Sequence, residues 1–411
     1  MSPTAVVVGS SVAGVRTVQA LRTEGFDGRI VLVGEEAELP YDKPPLSKQF
    51  LAGDWDAARI GLFAEAEARV ADVELRLGVA AEHLDVAGRR LLLADGTSLP
   101  WDVCVVATGA AARPSPWEAS SGVHVVRSLG DGVGLRSDLE RGGAVVVVGG
   151  GFIGAEVAAT AHRLGCDVTV VDPLQAPLAR VLGPEVGALF SDLHARHGVA
   201  TRFGAGVESV RGESGRLEVR LTDGSVLPAA TVVVGIGAVP NDRWLAVSGL
   251  LIEDGVVCDQ YCRAVDAPGV FAAGDVARWL HPGHGEQVRI EHWTNAVDQA
   301  ACVAHNIAHP DDLRAYRPVE YVWSDQYDWK IQIVGVPARA TGHRLIGDLA
   351  ADKPRAAALY TDPTGRLRGA VTVNWPRALA ECRRLMSAEA GFDTAVARLE
   401  ELAAAPVRPS A

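Results

Sequence analysis

Four small apolar residues open the stretch AVVVGSSVAGVRTVQALR (residues 5–22), and a turn then gives way to apolar positions at helical spacing. The stretch AVVVVGGGFIGAEVAATAHRLG (144–165) repeats that plan. After each comes an apolar run closed by an acid, IVLVGEE (30–36) and VTVVDP (168–173), so each copy predicts a strand–helix–strand unit. The likeness continues downstream, where DGTSLPWDVCVVATGA (95–110) lies over DGSVLPAATVVVGIGA (223–238) at an offset of 128 without a gap. A repeat that keeps turn, strand and terminal glycine together predicts an internally duplicated module. From about Pro318 the pattern changes. YVWSDQYDWKIQIVG (321–335) alternates and is aromatic, AAALYTDPTGRLRGAVTVNW (356–375) predicts a hairpin about Asp362–Gly365, and a helix follows through ALAECRRLM. The expected class is α/β, with a small α+β domain at the end.

Length and composition sharpen this picture only in places. At 411 residues the chain exceeds one core and suits two or three domains. Its 44 glycines exceed the usual share and call for many tight turns. The net charge of -12, without a long basic run, argues against nucleic acid or an anionic membrane as a partner. That charge is unevenly spread: from Pro318 onward there are 12 Lys+Arg against 11 Asp+Glu, leaving 27 against 40 upstream. The start MSPTAVVVGSS lacks a charged segment followed by a long apolar one, and no apolar run approaches the ~20 residues of a membrane span, so a cytoplasmic location is expected. The six cysteines show no CxxC or zinc-type spacing, which fits reduced, buried thiols, and no metal site is expected.

The candidate chemistry lies in the turns. The second copy carries GxGxxG at Gly149, Gly151 and Gly154, with Asp172 following 18 residues after the last glycine. Glycines let the backbone approach a pyrophosphate, the helix start offers free N–H groups, and the acid accepts hydrogen bonds from a ribose. The first copy reads Gly9, Ser11, Gly14, with Glu35 as its ribose acid; serine is small enough for the approach but gives up some backbone freedom. Both copies therefore predict dinucleotide sites. Asp172 suits the free 2′-hydroxyl of NADH rather than the 2′-phosphate of NADPH, a preference that Arg180, eight residues on, could soften. In GVFAAGDVARW (269–279) a short apolar strand ends in Gly-Asp and sets Asp275 where a polyhydroxyl chain could bond to it.

The ordered set PYDKPPLSK, GGGFIGAE, GIGAVPN, AAGD, EHWTNAVDQ and WSDQY resembles the FAD-dependent ferredoxin reductases of bacterial oxygenase systems, the putidaredoxin reductase type, over almost the whole chain. Several of these motifs are shared with rubredoxin reductases, nitrite reductase flavoprotein subunits and apoptosis-inducing factor. Ser11 in place of glycine and Lys43 in place of the more common arginine are departures. The resemblance implies two Rossmann-like dinucleotide-binding domains of the glutathione reductase type, one for FAD (1–113 and 246–317) and one for NAD(P)H (114–245), plus a C-terminal α+β domain (318–411). By it the first turn, with Ala13, Glu35, Lys43, Lys48, Ala81, Arg127, Asp275 and Trp293, binds FAD. The 149–154 turn with Phe152 and Ile153, Asp172, Arg180, Gly237 and Glu291 would bind NADH. It also puts Glu156 beside Lys48, a cation and counter-ion serving the flavin N5 region, with Pro44 and Pro45 stiffening the loop that carries the lysine. Phe152 is either an aromatic gate displaced by nicotinamide or a core side chain. Trp323 and Trp329 could shield the flavin edge or fill the core.

No cysteine precedes Cys104, so the resemblance implies a flavin without a thiol relay, which passes single electrons to a two-iron ferredoxin and through it to an oxygenase. Arg339, Arg344, Arg366, Arg368, Arg383 and Arg384 could form a cationic face for an acidic ferredoxin, or a merely solvated one. Two other functions stay open: direct reduction of a small acceptor, and a redox-signalling flavoprotein that holds NADH tightly.

Overall fold

The computed structural model describes residues 2–117, 119, 121–351 and 353–405. The chain forms two compact units, one of Met1–Pro45, Trp55–Ala112 and Ala238–Pro318, the other of Leu46–Asp54, Arg113–Gly237 and Val319–Ala411.

In the first unit a five-stranded parallel sheet runs in the order Val270–Ala272, Val103–Val106, Thr4–Val8, Arg29–Gly34, Val73–Leu77. Its central strand is apolar on both faces, and Ala5 to Val8 are buried, as a strand covered on each side must be. Helix Val12–Thr23 turns Ala13, Val15, Val18 and Leu21 inward and packs along helix Trp293–Ala308. An antiparallel meander, Ala81–Asp85, Arg90–Leu93 and Ser98–Pro100, leads back to the sheet.

The second unit repeats the plan. Its parallel sheet runs Ala200–Phe203, Asp167–Asp172, Ala144–Val148, Thr231–Val234, Val123–His124, and its meander is Val207–Glu213, Arg216–Leu221 and Val226–Ala229. The offset of 128 survives as structure: Ser98 and Val103 begin strands in one copy, and Val226 and Thr231 begin their counterparts in the other.

The C-terminal part of this unit is a five-stranded antiparallel sheet in the order Tyr321–Gln326, Trp329–Gly335, Leu367–Val373, Arg355–Thr361, Gly342–Asp348, with helices Pro376–Ser387 and Phe392–Ala404. The hairpin expected about Asp362–Gly365 is present. Asp362 Oδ1 accepts the backbone N–H groups of Thr364 and Arg366 and so closes the turn. Trp329 is 2% exposed and meets Phe190 edge to face at 5.5 Å, within a cluster formed with Leu182, Val186, Ile331 and Ile333. Of the two readings of Trp329, the structure selects the core. Among the described residues no helix is long and apolar enough to cross a membrane.

Trp329→Ala should therefore destabilise this sheet by about 3–5 kcal/mol, with Trp329→Phe retaining most of the stability. Denaturant unfolding followed by far-UV circular dichroism checks this, and equal midpoints for wild type and Trp329→Ala would contradict the packing argument.

Candidate functional site

The first cradle is dictated by steric contact. Gly9 has φ +117°, and a Cβ there would stand 2.1 Å from the Ala107 carbonyl oxygen; a Cβ on Gly14 would stand 1.8 Å from the oxygen of Gly9. Only glycine fits either place. Ser11 is different. It caps helix Val12–Thr23 with φ -94°, an ordinary value for any residue, and makes no side-chain cap bond. The backbone freedom that serine gives up is therefore not needed at this position.

A second turn of the first unit packs against this one. Gly274, at φ +77°, packs so closely that a Cβ would lie 2.9 Å from that of Ala13, which brings the AAGD turn to the start of the helix. Asp275 lies in the short 3-10 turn Gly274–Val276, and its carbonyl accepts from Arg289 at 3.1 Å. Trp293 opens its helix, with Nε1 donating to Asp42 Oδ1 at 2.7 Å. Lys43 pairs with Glu36 at 2.8 Å and lies over the Tyr41 ring, while the Tyr41 hydroxyl donates to the same carboxylate. Glu35 is exposed just past strand Arg29–Gly34, and Ala81 opens strand Ala81–Asp85. Glu291 is exposed and accepts from Arg289 at 2.7 Å.

The second cradle has the same geometry. Gly149 has φ +111°, with a hypothetical Cβ 2.3 Å from the Gly235 oxygen, and a Cβ on Gly154 would lie 2.0 Å from the oxygen of Gly149. Gly151 has nothing within 4 Å of its Cβ position, the same openness that lets serine stand at position 11 in the first copy. Asp172, the last residue of its strand, accepts from Gly150 N–H at 2.7 Å and Leu174 N–H at 2.8 Å. Its carboxylate is thereby pinned against the glycine turn. Ile153 is exposed, Phe152 packs partly on the cluster around Leu178 and Trp329, and Arg180 is exposed near the start of helix Ala179–Arg196. Gly237, at φ +108°, accepts from Arg113 N–H at 2.9 Å, and the Arg127 backbone N–H donates to Asp131 at 3.1 Å. Both cradles fit a dinucleotide: glycines without a Cβ let each turn close tightly on its own backbone, and each helix start lacks a side-chain cap.

A third cluster belongs to the second unit. Glu156, in helix Phe152–Arg163, is 3% exposed and accepts from Lys48 Nζ at 2.8 Å, Ser47 Oγ at 2.5 Å and Ser324 Oγ at 2.8 Å. Three donors satisfy a charge whose burial is otherwise costly. The turn Pro44–Ser47 precedes the lysine, and Thr160 Oγ1 anchors it by donating to the Ser47 carbonyl at 2.9 Å.

Sequence reasoning missed Ser47, Ser324 and Asp42, whose partners lie 109, 168 and 251 residues away. The chain signals at Ser47 and Asp42 were only their places in the proline loop. The suggested cationic face is mostly neutralised. Arg368 pairs with Asp362, Arg384 with Glu381, Arg344 with Glu400 and Arg366 with Glu389, while Arg383 lies over the Tyr321 ring. The hydroxyl of Thr364 and the guanidinium of Arg368 hold the Asp362 carboxyl well below its usual range, and Arg384 and Arg398 lower that of Glu381. Burial pushes the Cys104 thiol up to about 12, which makes it inert at neutral pH.

A family model described as pyridine nucleotide-disulphide oxidoreductase matches residues 3–300, and one described as reductase C-terminal matches residues 321–403. The chain is 37% identical to rhodocoxin reductase of Rhodococcus erythropolis, over 93% of this chain and 89% of the relative. It is 39% identical to the ferredoxin–NAD(+) reductase component of the anthranilate 1,2-dioxygenase system of Burkholderia cepacia, over 94% of each. Among solved structures, the covalent putidaredoxin reductase–putidaredoxin complex superposes with a TM-score of 0.89 at 31% identity, covering 94% of this chain and 93% of that one. With its two glycine cradles and its C-terminal sheet, the chain belongs to the pyridine nucleotide-disulphide oxidoreductase family, among the ferredoxin reductases of oxygenase systems.

Proposed function

We propose that this chain is an FAD-dependent NADH:ferredoxin oxidoreductase that supplies a two-iron ferredoxin, and through it an oxygenase. The carrying observation is the duplicated cradle, two dinucleotide sites built on the same steric rule, in a chain whose first cysteine is the buried Cys104. Bound FAD would supply the chemistry of accepting one hydride from NADH and releasing its two electrons singly, with the proton given up to solvent. The residues of the chain bind, orient and tune. The turns at Gly9–Gly14 and Gly149–Gly154 offer N–H groups to pyrophosphate, and Glu35 and Asp172 accept ribose hydroxyls. Lys48 is the fixed cation for the flavin, and Glu156 holds it in one place. Ala13, Lys43, Ala81, Arg127, Asp275 and Trp293 complete the FAD contacts, and Phe152, Ile153, Gly237 and Glu291 those of NADH. Rhodocoxin reductase and the anthranilate-system component support the choice of a ferredoxin-type acceptor, and the latter serves a dioxygenase. The oxygenase here is of the haem-thiolate or the ring-hydroxylating class.

Lys48→Met should slow flavin reduction by NADH about tenfold, the equivalent of about 1.4 kcal/mol in the barrier, in stopped-flow absorbance. An unchanged rate constant in folded, FAD-loaded protein removes the lysine from the mechanism. Asp172→Asn keeps an acceptor for only one of the two loop N–H groups and loses the charge, so the kcat/KM ratio of NADH to NADPH should fall by about tenfold. If the ratio does not move, Asp172 does not set the cofactor preference. NADH oxidation coupled to cytochrome c should rise steeply when a two-iron ferredoxin is added; flavin bleaching by NADH without any ferredoxin effect would point instead to a small acceptor.

A further inference from the structure

Three side chains of the first unit meet away from its nucleotide cradle. Glu24 is the C-cap of helix Val12–Thr23, and His305 and His309 stand one turn apart at the C-terminal end of helix Trp293–Ala308. His305 Nδ1 lies 3.0 Å, and His309 Nε2 3.1 Å, from the same carboxylate oxygen, Glu24 Oε2. The two rings are 4.7 Å apart, and all three ligand-type atoms lie within 4.8 Å of one another.

The hydrogen bonds around His305 do not close with a neutral ring. Its Nε2 is 2.9 Å from the backbone carbonyl of Asp312, which can only accept, so the ring hydrogen sits on that nitrogen. Nδ1 then faces an ionised carboxylate, which also only accepts. His305 is 3% exposed, so water does not resolve the conflict. A proton or a metal ion has to stand between Nδ1 and Glu24 Oε2.

We propose that Glu24, His305 and His309 bind a divalent transition-metal ion of the zinc class. The imidazole of His305 and that of the C-cap His309, four residues on, meet at one carboxylate, and together they form the mixed nitrogen and oxygen set that zinc favours. Metal bonds of about 2.0–2.2 Å place ligand atoms roughly 3.3 Å apart in a tetrahedron, so the contacts at 3.0 and 3.1 Å need to open by only a few tenths of an ångström. The Asp312 carbonyl holds the outer N–H of His305, as the second ring nitrogen of a metal-bound histidine is usually held. Both helices end here, and their partial negative charges favour a cation. His309 is 44% exposed on its side chain, which leaves the remaining coordination position to water. The ion would tie together the C-terminal ends of the two helices that begin at Val12 and Trp293.

Zinc chloride titrated calorimetrically into chelator-treated, FAD-loaded protein tests the site. One ion should bind per chain. His309→Ala and Glu24→Gln should each weaken binding about tenfold or more, and zinc should raise the melting temperature of wild type but of neither variant. Cobalt(II) should give visible d–d absorption that both variants lose. His309 is half-exposed, so its variant is expected to fold, and FAD content verifies this. No zinc uptake by wild type would leave a proton as the occupant and overturn the proposal, as would binding equal in wild type and both variants.

Discussion

The buried carboxylate of Glu156 is the constraint around which the second unit is arranged. A charge that is 3% exposed has to be met by donors, and its three come from two parts of the chain: Ser47 and Lys48 from the proline loop, and Ser324 from strand Tyr321–Gln326. Leaving any one of them out would strand part of a buried charge, at a cost of about 1–3 kcal/mol for a single unmet hydrogen bond. The helix that carries Gly154 is therefore tied on one side to the loop and on another to the C-terminal sheet. The same arrangement fixes the ammonium group. A lysine on a mobile stem spreads its charge over many positions, whereas Lys48, with 12% of its side chain exposed and one oxygen at 2.8 Å, presents it in one.

The two cradles apply one steric rule twice, and their differences are informative. The first and last glycines of each turn are fixed by carbonyl oxygens at 1.8 to 2.3 Å from a hypothetical Cβ, while the middle position has no such neighbour. A side chain at 151 would thus meet no close neighbour, and at 11 the chain carries a serine. The acids differ more. Asp172 is held by two backbone N–H groups of its own turn, whereas Glu35 stands exposed beyond the end of its strand. The shorter acid is locked to its loop, whereas the longer one keeps its rotamer freedom.

Most of the fold was legible because its signals are local. The apolar runs, the glycine spacing and the 128-residue offset each depend on neighbours in sequence, and the strands at Val103 and Thr231 fall where that offset puts them. The hairpin about Asp362 was legible for the same reason. Polar pairing across long separations was not: Asp42 meets Trp293 and Ser324 meets Glu156 only through the folded chain, and neither serine nor aspartate announces its partner. His305 and His309 show a helical spacing, but the carboxylate they share lies 281 residues from one and 285 from the other.

The arginines of the C-terminal sheet carry the argument about partners further. Counted as charges they make that part of the chain nearly neutral beside an acidic remainder, which suggests a surface that attracts an acidic protein. The structure spends four of the six on nearby carboxylates, and exposed pairs of that kind are strongly screened by salt. Broad electrostatic steering is therefore weak on this face. Arg383 is an exception of a specific kind, since its guanidinium lies over the Tyr321 ring at 5.2 Å. A stacked arginine keeps its charge and has donors left for a partner's carboxylate, while the ring fixes its orientation.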